Sequence, residues 1–109
     1  MYQLRKHPRI DFELEIAVLA GERDFSACTV QIGGGGLSFR STEKLSTAEP
    51  LQLEFVLPDG RFVVIPAVVW WIREGQVGVR FDPASPDRVL VEQWVEHQRE
   101  KARLYPKPI

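Results

Sequence analysis

Apolar residues recur at every second position in stretch after stretch of this chain, and each stretch stops at a turn signal. That pattern restricts the fold more than any other feature of the sequence. Phe12, Leu14, Ile16 and Val18 alternate with Glu13, Glu15 and Ala17, which predicts a strand with one buried face. Gly21, Glu22, Arg23 and Asp24 turn the chain into a second strand over residues 25–32, with Cys28, Val30 and Ile32 at alternating positions. The four glycines 33–36 interrupt it, and Leu37, Phe39 and Ser41 restart the alternation. After a polar connection over 42–50, Leu51, Leu53, Phe55 and Leu57 mark a further strand. Pro58, Asp59 and Gly60 form a hairpin signal, because proline presets φ while Asp and Gly tolerate left-handed geometry. Residues 62–71 are a long β-branched and aromatic run, in which Pro66 predicts a bulge or an edge position. Arg73, Glu74 and Gly75 turn the chain once more, and Val77, Val79 and Phe81 close the sheet. Many short strands with no helix between them specify an antiparallel barrel or sandwich.

The ending changes period. Ser85, Pro86 and Asp87 form a helix start, with a capping hydroxyl, proline at the first helical position and an acid in the first turn. Leu90, Val91, Trp94 and Val95 then follow the spacing of one amphipathic helix, whose apolar stripe is expected to pack on the barrel. At 109 residues the chain suits one domain with one core. We divide it into a basic arm (1–9), a β-barrel (10–82) and a C-terminal helix (85–104).

Several functions are disfavoured at once. The formal net charge is −1, so no global field draws the protein onto a polyanion or an anionic membrane. There is no apolar run of membrane-spanning length and no signal-peptide pattern, and a cytoplasmic location is expected. The single cysteine, Cys28, and the widely spaced His7 and His97 offer no metal-ligand spacing. No nucleophile elbow, zinc-hydrolase helix or Cys–His pair is present, and the glycine run lacks the Gly-Lys-Ser/Thr of a phosphate loop. We therefore expect a binding module without cofactor, not an enzyme.

Three features could carry recognition. Arg5, Lys6 and Arg9 surround His7 and Pro8 in a leading segment without acids. Such a segment reads as a solvated tail or as a grip for phosphate, since the planar guanidinium fork holds phosphate at two points and stacks on bases. The glycines 33–36 read as a plain strand connection or as open backbone that a ligand can approach, its N–H groups free for an anion. In Trp70–Trp71, successive strand residues face opposite sides. One indole is expected in the core and the other on the outer face or rim, where it could stack on a base.

In order along the chain these features resemble the PilZ domain family, over about residues 4–104. Arg5-Lys6-His7-Pro8-Arg9 matches the family's Arg-x-x-x-Arg motif. Residues 31–36 align with its Asp/Asn-x-Ser-x-x-Gly motif, with Gln31 in place of the acid or amide, Gly33 in place of serine, and Gly36 matching. Val77-Gly78-Val79-Arg80-Phe81 followed by a helix completes the pattern. The resemblance implies a six-stranded antiparallel barrel with a C-terminal helix, and a receptor for the bacterial second messenger cyclic di-GMP. It implies ligand contacts from Arg5, Lys6, Arg9, Gln31, Gly33, Gly36 and Trp71, an arm that orders on binding, and an effector protein as downstream partner. Loss of the serine hydroxyl costs about 1 kcal/mol of binding. It motivates an alternative, a PilZ-fold adaptor that binds protein and no nucleotide. A barrel that binds nucleic acid through the arm and tryptophans is a further rival, disfavoured by the near-zero charge.

Overall fold

The computed structural model describes residues 7–104. Among these, seven strands and a helix follow one another: β1 (Arg9–Asp11), β2 (Glu15–Ala20), β3 (Arg23–Gly33), β4 (Gly36–Arg40), β5 (Pro50–Val56), β6 (Phe62–Arg73), β7 (Gln76–Phe81) and α1 (Pro86–Leu104). All pairings are antiparallel. Strands run in the order β3-β2-β5-β6-β7-β4, and β4 pairs back onto β3. The result is a closed six-stranded barrel with the helix at its end, as the family resemblance implies. Closure leaves the six strands without a free edge.

The strand expected from Phe12 to Val18 begins only at Glu15, and residues 12–14 form a break between β1 and β2. β1 pairs with the last residues of β3 (Arg9↔Gly33, Ile10↔Ile32, Asp11↔Gln31), while β2 pairs with the first (Glu15↔Cys28 to Ala20↔Arg23). Thr29, fully buried, bridges the break: its Oγ1 donates to the Phe12 carbonyl at 2.6 Å and accepts from the Leu14 N–H at 2.9 Å. A buried hydroxyl requires such partners. They let the chain step off the ladder there and carry β1 onward as an extension beside β3.

Two bulges overturn simple alternation. In β3 the register with β4 shifts between Thr29 and Gln31. Ala27 and Thr29 are buried before it and Ile32 after it, whereas Cys28 is exposed. Cys28, Val30 and Ile32 therefore do not share one inward face, because one extra residue exchanges the two faces of a strand. In β6 the shift lies between Val69 and Trp71, not at Pro66. Pro66 pairs with Gln52 of β5, and its carbonyl accepts from Asp82 N at 2.8 Å. This is just beyond the last β6–β7 pair, Ala67↔Phe81, so its missing N–H falls where the ladder has ended.

The core is the barrel interior. Phe39, Leu53, Leu57, Ile65, Val69 and Val77 are essentially inaccessible, each contributing about 2 kcal/mol by burial. α1 covers one end with Val91, Trp94 and Val95. Phe12 meets the Trp94 ring edge-on at 4.8 Å between centroids. Asp87 Oδ2 accepts from Val64 N at 2.8 Å, fixing the first helical turn to β6. In the β5–β6 turn, the Arg61 side chain bonds Asp59 and holds that carboxyl below its usual range.

Candidate functional site

The described part of the arm lies against the glycine bend. Arg9 is the direct partner of Gly33 across the β1–β3 ladder. A side chain at Gly33, Gly35 or Gly36 would collide with a neighbour, and one at Gly34 would be tightly packed. At Gly33 a Cβ would stand 2.7 Å from the Pro8 carbonyl oxygen and 2.9 Å from Arg9 Cγ. At Gly35 it would stand 2.8 Å from His7 Cδ2, and at Gly34 it would stand 3.0 Å from Glu92 Cβ and Cγ. At Gly36 it would overlap the Val79 carbonyl.

Positive φ is recorded at Gly21, Gly60 and Gly75 among the glycines, and at none in the run 33–36. The run therefore exists for close approach. That approach is by the protein's own arm, helix and β7, where the sequence left both a plain strand connection and ligand-accessible backbone open. Its carbonyls are also engaged: Gly35 O accepts from Phe81 N at 2.9 Å and Gly34 O from Arg88 Nη1 at 3.3 Å.

The strand pairings also build a row on the outer face. Asp11↔Gln31, Gln31↔Ser38, Ser38↔Gly78 and Gly78↔Trp71 are successive partners on β1, β3, β4, β7 and β6. Arg9, Gly33 and Gly36 flank this row. Thus Arg9, Gln31, Gly33 and Gly36 come together at one end. Trp71 closes the other end, four strand spacings or roughly 19 Å away along a curved wall. Arg5 and Lys6 lie outside the described residues.

The Gln31 amide is committed: its Nε2 donates to Asp11 Oδ1 at 3.0 Å. Asp11, absent from the sequence reading, thereby brings a carboxylate to the arm end. Its position opposite Gln31 follows only from the register of β1, which the sequence does not reveal.

Neither indole enters the core, contrary to expectation. The β6 bulge places Trp70 and Trp71 on the same outer side. The Trp71 ring lies directly over Gly78, which is why that position carries no side chain. Trp70 is 57% exposed, and the Arg80 guanidinium stacks 4.2 Å from its ring centroid. The Arg73 guanidinium stands 5.5 Å from the Trp71 ring. Arg73 and Arg80 thus bring cations to the tryptophan end of the row, in geometry that suits flat rings, and Arg9 lies on β1 at the arm end.

On the helix side, Arg88 Nη1 donates to Glu92 Oε2 at 2.9 Å. The other Glu92 oxygen lies 3.3 Å from His7 Nδ1, outside hydrogen-bond geometry. Sequence reasoning assigned no role to Arg88 or Glu92. The four-residue Arg–Glu spacing was the available signal, but not its target.

No group of three or more metal-ligating side chains is found among the described residues. No helix among them is long and apolar enough to cross a membrane.

The fold recurs in solved structures. Bacillus subtilis inhibitor of motility (MotI/DgrA) superimposes with a TM-score of 0.81 at 20% identity, over 94% of this chain and 54% of that one. The c-di-GMP-bound PilZ domain of YcgR from Escherichia coli gives 0.75 at 17% identity, over 97% of this chain and 100% of that one. The K. pneumonia MrkH–c-di-GMP complex gives 0.75 at 17% identity, over 94% and 56%. The chain therefore spans about half the length of the MotI and MrkH structures. No curated protein matches it. The family model described as PilZ domain matches residues 3–97, and with the closed barrel, terminal helix and arm-to-glycine pairing this chain belongs to the PilZ domain family.

Proposed function

We propose that this protein is a receptor for cyclic di-GMP that presents a ligand-dependent surface to a partner protein. The observation that carries the reading is the pairing of Arg9 with Gly33, which joins the two family motifs in space. A guanidinium held at the rim of the glycine bend can grip one phosphate of the dinucleotide by two parallel charge-assisted bonds. Arg5, four residues earlier, supplies a second grip, and Lys6 adds charge. Gln31 and the backbone at Gly33 and Gly36 form the floor. Trp71, capping the far end of the row, offers a face for a base. Family membership supports this reading, as do two structural neighbours whose structures are named for their c-di-GMP complexes. PilZ domains are receptor modules, so catalysis is not part of the proposal.

Isothermal titration with cyclic di-GMP tests it. Saturable heat is expected for the wild type. For Arg9→Ala and Arg5→Ala the affinity should fall by tenfold or more, since charged hydrogen bonds are worth about 1.5–3 kcal/mol. Absence of heat from the wild type at high micromolar protein would overturn the reading.

That outcome would favour a second function, an adaptor that binds protein alone. Two observations point to it: Gly33 provides no hydroxyl, and the Gln31 amide is tied to Asp11, whose carboxylate repels a phosphate. The adaptor would use the helix or the barrel wall, where Val68, Trp70 and Ile72 are exposed.

A further inference from the structure

We propose, resting on the receptor reading, that Arg88 and Glu92 of α1 are positioning residues. They set where Arg9 stands by clamping His7 and the glycine bend, and they do not touch the nucleotide.

Five contacts converge. Arg88 Nη1 donates both to Glu92 Oε2 (2.9 Å) and to the Gly34 carbonyl (3.3 Å). Glu92 Oε1 lies 3.3 Å from His7 Nδ1, outside hydrogen-bond geometry, so Glu92 holds the His7 ring by proximity and packing and not by a hydrogen bond. The Glu92 stem lies against Gly34, 3.0 Å from where a Cβ would stand, and the His7 ring covers Gly35. The helix, the bend and the arm therefore meet in one cluster. The Arg88 side chain is 19% exposed, His7 25% and Glu92 39%, so the cluster is half-buried and only partly screened by solvent.

The link from His7 to Arg9 is short and stiff. Pro8 between them has φ locked near −65°, and it restricts His7 to extended geometry. Fixing the His7 ring on Gly35 thus fixes the direction in which the chain delivers Arg9 to Gly33. A motif of two arginines around a free linker would pay the ordering cost at binding. Here the helix meets part of that cost beforehand. By linkage, a nucleotide that draws Arg9 from this position must also loosen α1, and a partner that grips α1 must alter nucleotide affinity.

Backbone 15N relaxation on the protein alone tests the clamp without any nucleotide. In the wild type, the amides of His7, Arg9 and Ile10 should be as ordered as those of β3. In Glu92→Ala and Arg88→Ala their heteronuclear NOE values should fall toward those of a tail, while amides of β2 to β7 stay unchanged and report an intact fold. Glu92→Gln keeps an acceptor for Arg88 and should retain most of the order. Wild-type order at His7 and Arg9 in both alanine variants would overturn the clamp.

Titration then reads the effect on binding. Glu92→Ala should weaken cyclic di-GMP about tenfold, and His7→Ala with Glu92→Ala should be no worse than the larger single loss, as expected for coupled residues. Equal affinity of wild type and Glu92→Ala would overturn the positioning role while leaving the receptor reading intact. A wild type that binds no nucleotide would remove the receptor reading, and the relaxation data would still decide the clamp.

Discussion

The hairpin turns and the glycine bend use the same residue for opposite reasons. Gly60 and Gly75 sit at φ of 94° and 80°, with nothing within 4 Å of a would-be Cβ. They are glycines because of backbone conformation, and Gly75 completes a tight turn with Glu74 (φ 44°), as twisted hairpins require. The run 33–36 has no positive φ, yet every member faces a close neighbour: Pro8 and Arg9, Glu92 and His7, and the Val79 carbonyl. These are glycines because other parts of the molecule occupy the space. The first kind of site shapes one hairpin. The second joins arm, helix and barrel, and a functional arrangement can be built there.

The comparison can be broken by substitution. The largest effect is expected at Gly36. Its missing side chain faces main chain of β7, which cannot move without opening the β4–β7 closure. Gly36→Ala should cost about 3 kcal/mol, in the upper range for overpacking, read as a lower urea midpoint. Wild-type stability would show that the bend is not close-packed.

Gly60→Ala should cost about 1 kcal/mol, the penalty for left-handed backbone in an L-residue. It should leave nucleotide affinity and the signals of His7 and Arg9 unchanged.

A stability effect close to that of Gly60→Ala is expected for Gly33→Ser, about 1 kcal/mol, at the low end for overpacking, because the main chain at Pro8 must shift to make room. Restoring the serine of the family motif should therefore displace Pro8 and Arg9, since the new Cβ would stand 2.7 Å from the Pro8 carbonyl oxygen. Binding should not tighten. Tighter binding with unshifted arm signals would mean that Gly33 is a plain loss of a ligand contact.

Much of the fold was legible because period two needs only the strand itself. Leu51, Leu53 and Phe55 alternate in sequence and are buried in the barrel, and Ser85-Pro86-Asp87 marks the start of α1. Reading failed where a distant residue decides the local geometry. Thr29 permits the break between β1 and β2, and nothing within residues 12–18 announces it. The bulges near Thr29 and Trp70 shift the phase of β3 and β6 without any glycine or proline at the point of shift. They sent Cys28 and Trp71 to faces that alternation did not assign.

The candidate site was half legible. Its motifs name Arg9, Gln31, Gly33 and Gly36, and the ladder gathers them. What the motifs omit is Asp11 opposite Gln31, and the Arg88–Glu92 pair behind His7, because both depend on register and on where the helix docks.

The central claim is that cyclic di-GMP binds across Arg9 and the glycine bend. Titrating 15N-labelled protein with the dinucleotide and following amide and indole signals tests it most directly. Saturable shifts are expected at Arg9, Gln31, Gly33 and the Trp71 indole, with Gly60 and Gly75 silent. Unmoved spectra at high micromolar concentration, or shifts confined to surfaces away from the bend, would contradict it.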